Sequence, residues 1–473
     1  MKRRNPVTNG RPWLQRVGLV LAPIAFVAPI VAQPDGLDAA GHRMLGVFLA
    51  AIVLWITEAI PLHATAVLII GAEILLISDA TVLPLPAEYD APPFADFYAA
   101  LANPVLMLFL GGFFLAEGAA KYRLDRNLAR VLLRPFGASP AGIMLGLMII
   151  TAVLSMFMSN TATAATMTAV VLSVTASLPP GDRLRTSLAL SIPIAANVGG
   201  IATPVGTPPN AIALGGLSGA GITITFLEWM LATLPFVLAT LLVAWLLLRR
   251  LHPSPTTRLE LGMEGEFDTS RPALLFYGVF AVTVALWLTE PLHGINSQVV
   301  GFVPVVVLLA TRVFGVAELQ NIRWDVLWLV GGGIALATGM AATGLDQWLV
   351  GQVAWEALPI AGLLVVLALI ALGLSTTISN SATANLLVPI GITLAMSEAV
   401  DIDPLLAGLI IAVSCSLAMA LPISTPPNAI AYATGAVSTR DLAVVGLLVG
   451  AAGLILFLGV APLFWDLVGV AGM

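Results

Sequence analysis

Apolar stretches of about twenty residues, each long enough to cross a hydrocarbon core of about 30 Å, recur along this chain. Trp13 to Ala32, Phe226 to Leu248, Pro272 to Thr289 and Leu442 to Leu463 are such runs. With no water to satisfy freed amides and carbonyls, each has to close its backbone hydrogen bonds internally as a helix. Composition agrees: 59% of the 473 residues are hydrophobic and 10% charged, and the mean hydropathy is +1.00, outside the range of water-soluble domains. The sequence therefore specifies an all-α polytopic membrane protein. Its single cysteine, Cys415, leaves no disulfide to shape the fold and no thiolate metal cluster.

Apolar segments fall at roughly 13–32, 44–61, 62–79, 104–120, 140–178, 186–217, 226–248, 272–289, 296–311, 326–343, 357–397, 404–437 and 442–465. The first has no small-residue cleavage site soon after a short apolar core, so it reads as a retained span and not a removed signal. If 140–178 and 357–397 each dip in and return to their own side, about eleven crossings remain, plus two re-entrant hairpins. The basic residues then sort by side: Lys2, Arg3, Arg4, Arg11 and Arg16, the cluster from Lys121 to Arg134, Arg183 and Arg185, Arg249 to Arg271, Arg312, Arg323 and Arg440 all fall inside. Only Arg43 falls outside, where the loops carry Asp79, Glu88, Asp90, Asp96, Glu398, Asp401 and Asp403. This places the N-terminus in the cytoplasm and the C-terminus outside, in a cell inner membrane. With the basic residues gathered in membrane-flanking loops, the bilayer is an expected partner and nucleic acid is not. Arg123, Arg126, Arg130 and Arg134 lie opposite Leu124, Leu128, Val131 and Leu132, the pattern of an amphipathic helix on the inner interface.

The halves repeat each other. Leu110-Gly111-Gly112 with Leu115-Ala116 and Leu124-Asp125 returns as Gly331-Gly332-Gly333 with Leu336-Ala337 and Leu345-Asp346. The run Leu154 to Ala164, centred on Ser159-Asn160-Thr161, returns as Leu374 to Ala384, centred on Ser379-Asn380-Ser381. Thr207-Pro208-Pro209-Asn210 returns as Thr425-Pro426-Pro427-Asn428. Charge placement sets the copies in opposite orientations, an inverted repeat. The divisions are then residues 1–43 for the N-terminal tail and first span, 44–252 for the first repeat, 253–271 for a cytoplasmic linker and 272–473 for the second repeat.

Polar triplets and Pro pairs in otherwise apolar spans have a chemical consequence. A Pro pair stops the preceding helix but is tolerated in the first turn of the next, so Thr207 and Thr425 are expected N-caps of new half-helices. Ser159 and Ser379 are expected to begin returning arms in the same way. Four helix N-termini facing one volume, each carrying about half a positive charge and free N–H groups, suit an anion. No Lys or Arg is expected inside any span after the first, so a dianion would need bound cations to complete its neutralisation. Hydroxyls, amide oxygens and freed carbonyls are ligands for a hard cation such as Na+.

Taken together, these residues resemble the divalent anion:sodium symporter family, over essentially the whole chain. The resemblance implies a homodimeric, elevator-type secondary transporter importing C4-dicarboxylates such as succinate, malate and fumarate with Na+ as coupling ion. It further implies a first sodium site at Ser155, Ser159, Asn160 and the backbone near Gly206, and a second at Ser375, Asn380 and the backbone near Ser424. The substrate, a small dianionic metabolite, would meet Asn160, Thr161, Asn380 and Ser381, walled by Thr207, Pro208, Thr425 and Pro426. Ser381 stands where the dicarboxylate pattern usually has Thr; a hydroxyl survives, but the lost methyl leaves open citrate or sulfate. Sodium-independent dicarboxylate exchange is the other alternative. An enzyme is not expected, since no nucleophile with its base, no HExxH and no Gly-x-Ser-x-Gly elbow is present. A proton-coupled antiporter or a channel would instead depend on Glu58, Glu73 or Glu117.

Overall fold

The computed structural model describes residues 12–176, 178–179, 181–259, 267–353, 355, 358–397 and 400–459. The first half contributes α1 (Pro12–Ala32), α2 (Ala39–Thr57), α3 (Leu62–Ile77), α4 (Phe94–Ala99), α5 (Pro104–Lys121), α6 (Leu124–Leu133), α7 (Pro140–Phe157), α8 (Asn160–Thr175), α9 (Leu184–Gly200), α10 (Pro208–Gly219) and α11 (Phe226–Leu251). The second contributes α12 (Arg271–Leu288), α13 (Glu290–His293), α14 (Ser297–Ala310), α15 (Val316–Asn321), α16 (Trp324–Ala342), α17 (Leu345–Gly351), α18 (Ile360–Thr377), α19 (Asn380–Met396), α20 (Pro404–Ser416), α21 (Pro426–Ala433) and α22 (Thr439–Gly459). The described residues hold nine helices long and apolar enough to span a membrane, with shorter apolar helices at Leu62–Ile77, Ser297–Ala310, Asn380–Met396 and Pro404–Ser416.

Helix starts follow local chemistry. Pro stands in the first turn of α5, α7, α12 and α20, and the N-cap Asn103, Ser139, Ser270 or Asp403 accepts from a first-turn N–H, which satisfies donors that lipid cannot. A reciprocal capping box, Thr225 with Glu228, starts α11.

The repeat visible in sequence is carried into packing. α3 packs on α16 as α14 packs on α5, and α10 packs on α19 and α20 as α21 packs on α8 and α9. Small residues allow the first pair of contacts: a Cβ added at Gly111 would lie 1.7 Å from the Gly301 carbonyl, and one at Gly332 would lie 2.3 Å from Ala66 Cβ. Backbones this close gain the dispersion contact that substitutes for a hydrophobic driving force in lipid. Both expected hairpin segments break where the triplets stand, at Met158-Ser159 and Ile378-Ser379, and their arms contact each other.

Three details differ from the sequence reading. α2 begins at Ala39, capped by Asp38, so Arg43 lies within a spanning helix after the first; its guanidinium reaches the Leu76 and Pro84 carbonyls, which a basic side chain near a helix end can do without being buried. In α6 the buried face is Leu124, Asp125, Asn127, Ala129 and Leu133, while Val131 and Leu132 are exposed. The helix thus turns a partly polar face to the protein, where Thr166 of α8 donates to Asp125, and offers Val131 and Leu132 outward. The linker region is also anchored: Ser254 and Thr256 donate to Asp182, and the Leu259 amide to Ala138.

Candidate substrate and ion site

At each hairpin break the first arm ends with a serine pointing at the asparagine that begins the second. Ser155 Oγ lies 2.5 Å from Asn160 Oδ1 and 2.8 Å from the Ala196 carbonyl oxygen. Ser375 Oγ lies 2.9 Å from Asn380 Oδ1 and 3.1 Å from the Cys415 carbonyl oxygen. A hydroxyl has one proton and donates to one of these at a time. Each cluster therefore gathers three oxygens with one proton among them, a donor set that suits a hard cation.

The neighbouring break closes around the first cluster. A Cβ at Gly200 would meet Asn160 Oδ1 at 2.6 Å, and one at Gly206 would meet the Gly200 carbonyl at 2.3 Å. Glycine is required at both positions for the backbone to come this near the amide. In the second half Ser424 Oγ donates to the Thr376 carbonyl at 2.9 Å, tying that break to the end of α18. Thr203 performs the same tie in the first half, bonding the Met156 carbonyl at the end of α7.

Ser159 and Ser379 are the N-caps of α8 and α19, and neither side chain bonds its helix, so both hydroxyls and the first-turn N–H groups of the arms stay available. Thr161 and Ser381, on the first turns, are half-buried. Thr207 and Thr425 cap α10 and α21 as expected, both buried, with Pro208 and Pro426 following. Sequence reasoning missed the asparagine of each Thr-Pro-Pro-Asn block as a builder of the break. Asn210 Nδ2 donates to the Gly200 and Thr203 carbonyls at 3.1 and 2.8 Å, and Asn428 Nδ2 to those of Met419 and Leu421 at 2.7 and 2.9 Å. These carbonyls lie at and beyond the C-terminal ends of α9 and α20, where the helical ladder stops, and the amide supplies them with a donor. Recurrence of the Asn in both blocks was the available signal.

The membrane carboxylates lie elsewhere. Glu73 is buried on α3 against Gly339 of α16, Glu58 ends α2, and Glu117 accepts from Asn321 at 2.8 Å.

A helical membrane protein whose repeated halves each carry a broken helix, with serine, asparagine and carbonyl oxygens gathered beside helix N-termini, has the architecture of a secondary transporter. Residues 13–471 match the family model described as the sodium:sulfate symporter transmembrane region, and the chain belongs to that family, in agreement with the resemblance drawn from its motifs. Among curated relatives, the sodium-dependent dicarboxylate transporter SdcS of Staphylococcus saprophyticus is 32% identical, covering 91% of this chain and 88% of that protein. SdcS of Staphylococcus aureus is 30% identical, covering 94% and 89%. In fold the chain is similar to the Alcanivorax borkumensis YdaH transporter, with TM-score 0.57 at 13% identity over 86% of this chain and 98% of that one. It is also similar to Neisseria gonorrhoeae MtrF, with TM-score 0.52 at 12% identity over 88% and 97%.

Proposed function

We propose that the protein imports C4-dicarboxylates, succinate, malate or fumarate, by sodium symport across the cell inner membrane, as an elevator-type homodimer. The observation that carries this reading is the mirrored Ser–Asn–carbonyl cluster at the two hairpin breaks, Ser155 with Asn160 and Ser375 with Asn380. Each is a sodium site, the first completed by Ser159 and the Gly206 backbone, the second by Ser424. Two monovalent cations there neutralise a dianion whose site is built without basic side chains among the described residues. Its carboxylates meet Asn160, Thr161, Asn380 and Ser381, with Thr207, Pro208, Thr425 and Pro426 as walls and helix N-termini as donors. The sodium-dependent dicarboxylate transport named for the two staphylococcal relatives supports both halves of this reading.

In this arrangement about eleven spans and two re-entrant hairpins make an inverted repeat with the N-terminus cytoplasmic and the C-terminus outside. α1 to α5 with α12, α14 and α16 form a scaffold, and α7 to α11 with α18 to α22 the moving body; α6 and α17 join them. Reconstituted protein should take up labelled succinate only when sodium is high outside. Uptake that ignores sodium but needs internal dicarboxylate would replace symport by exchange, and strict preference for citrate or sulfate would replace the substrate. No uptake of any dianion would refute the reading.

A further inference from the structure

Building on the dicarboxylate reading, we propose that Asn197 is a positioning residue that fixes the Thr425 hydroxyl as a hydrogen-bond donor to a substrate carboxylate. Hydrogen-bond polarity is set from the second break outward. Asn428 Nδ2 spends both hydrogens on the Met419 and Leu421 carbonyls, at 2.7 and 2.9 Å, so its Oδ1 faces the other way as an acceptor. Asn197, buried on α9, places Nδ2 3.3 Å from that Oδ1 and 3.0 Å from Thr425 Oγ1. The opposite setting of its amide would bring oxygen against the Asn428 oxygen, which can only accept, so Asn428 fixes the Asn197 amide with nitrogen toward Thr425. Thr425 Oγ1 also faces the backbone N–H of Asn428 at 3.4 Å. With its lone pairs engaged by two donors, the hydroxyl has only its proton left to offer, and it sits at the N-terminus of α21, where an anion belongs.

The first repeat lacks this device. Asn210 is held by freed carbonyls in the same way, yet its buried Oδ1 has no partner among the described residues. Ser155 and Ser375 bond the Ala196 and Cys415 carbonyls respectively, so Asn197 corresponds to Ser416. The Ser416 hydroxyl is shorter than an amide and is likewise buried without a partner. Thr207 makes no side-chain cap bond. Among the described residues, then, the second wall of the pocket presents a donor of predetermined direction that the first does not match, and the two carboxylates of a dianion meet unequal partners.

The test uses full-length protein in proteoliposomes, with initial succinate uptake measured against succinate and against sodium for Asn197→Ala, the isosteric Asn197→Asp, Thr425→Ala and the double variant Asn197→Ala/Thr425→Ala. The carboxylate introduced by Asn197→Asp would draw the Thr425 proton to itself, so both Asn197 variants should raise the succinate KM roughly tenfold to a hundredfold, the size of one lost charge-assisted hydrogen bond. Maximal rate and half-saturating sodium should stay within about twofold, and the double variant should be no worse than Thr425→Ala, because coupled residues are not additive. A reduced maximal rate at unchanged KM, a sodium requirement rising in step with KM, additive losses, or failure of both Asn197 variants to give monodisperse protein would each overturn the proposal. Wild-type protein that takes up no dianion is the separate outcome that removes the transport reading, and this proposal with it.

Discussion

Single side chains decide whether the oxygen clusters can form. Asn160 and Asn380 are each held by a serine on the opposite arm of the break; replacing either by Ala should abolish sodium-driven uptake, while size-exclusion profiles remain those of the wild-type protein. Gly200→Ala reaches the same site from the backbone. Its Cβ would stand 2.6 Å from Asn160 Oδ1 and 3.1 Å from the Gly206 carbonyl, too close without displacing the amide. We expect a loss of about 1–3 kcal/mol in stability, as for other overpacked sites, together with a raised half-saturating sodium concentration; unchanged sodium dependence would separate Gly200 from the ion site. The paired triplets made Ser155, Asn160, Ser375 and Asn380 legible, since a polar residue recurring in two copies of an apolar span calls for a shared cause. Asn197 and Thr203 were not legible. Asn197 has no asparagine at its counterpart, Ser416, and Thr203 acts where the other repeat uses a differently placed Ser424, so neither gave a repeated pattern to read.

At the level of elements, the short joints between long helices were the least readable and carry the most local strain. α6 starts after Arg123 with φ +51°, and α17, its counterpart, after Gly344 with φ +65°. The same left-handed joint is thus made once with the residue that tolerates it and once with one that does not. Gly344→Ala should cost about 1–2 kcal/mol, whereas Arg123→Gly should be neutral or stabilising by up to about 1 kcal/mol, both measured as shifts of the thermal midpoint in detergent. Sequence periodicity placed α6 correctly but did not say which face meets protein: Asp125 and Asn127 are buried while Val131 and Leu132 face outward. A hydrophobicity pattern presumes a polar outside and cannot distinguish an apolar protein face from an apolar lipid face. The joint between α14 and α16 carries a charge pair instead. Lys121 Nζ donates to Glu318 Oε1 at 2.7 Å and to the Val313 carbonyl at 2.8 Å, and its hydrogen bond holds the Glu318 carboxyl down from 4.5 to about 2. A depressed carboxylate stabilises the fold at pH values above its ordinary one and loses that contribution as pH falls toward the folded value. Glu318→Gln should therefore lower the midpoint at pH 7, with the gap from wild type closing as pH drops from 4.5 toward 2 and narrowing in high salt.

The whole molecule keeps the symmetry of its repeats in most of its packing but breaks it around α10 and α21, and the break says what its motion would be. α10 lies against α16 and α5 as well as α19 and α20, whereas for α21, its counterpart, the contacts are with α8 and α9, the equivalents of α19 and α20. Val205 and Leu214 beside and on α10 are 8% and 6% exposed; the corresponding Ile423 and Tyr432 are 78% and 45% exposed. An apolar surface exposed in one copy and covered in the other has a partner waiting in the symmetric arrangement, since each conformation of such a pair is generated by exchanging the roles of its repeats. The alternate state should then pack α21 against the α5–α16 pair and release α10. Gly215, whose Cβ would touch Ile334 Cγ1 at 2.9 Å, reports the state described here; by the repeat the matching pair is Ala433 with Phe113. In a Cys415→Ser background, the pair Gly215→Cys/Ile334→Cys should form a disulfide that stops transport and is reversed by reductant. The pair Phe113→Cys/Ala433→Cys should cross-link only in protein that is cycling or held in the opposite state, with its yield changed by sodium and succinate. If the first disulfide left uptake intact, or if the second never formed in transport-active protein, α10 and α21 would be fixed struts and the movement would have to be sought at another interface.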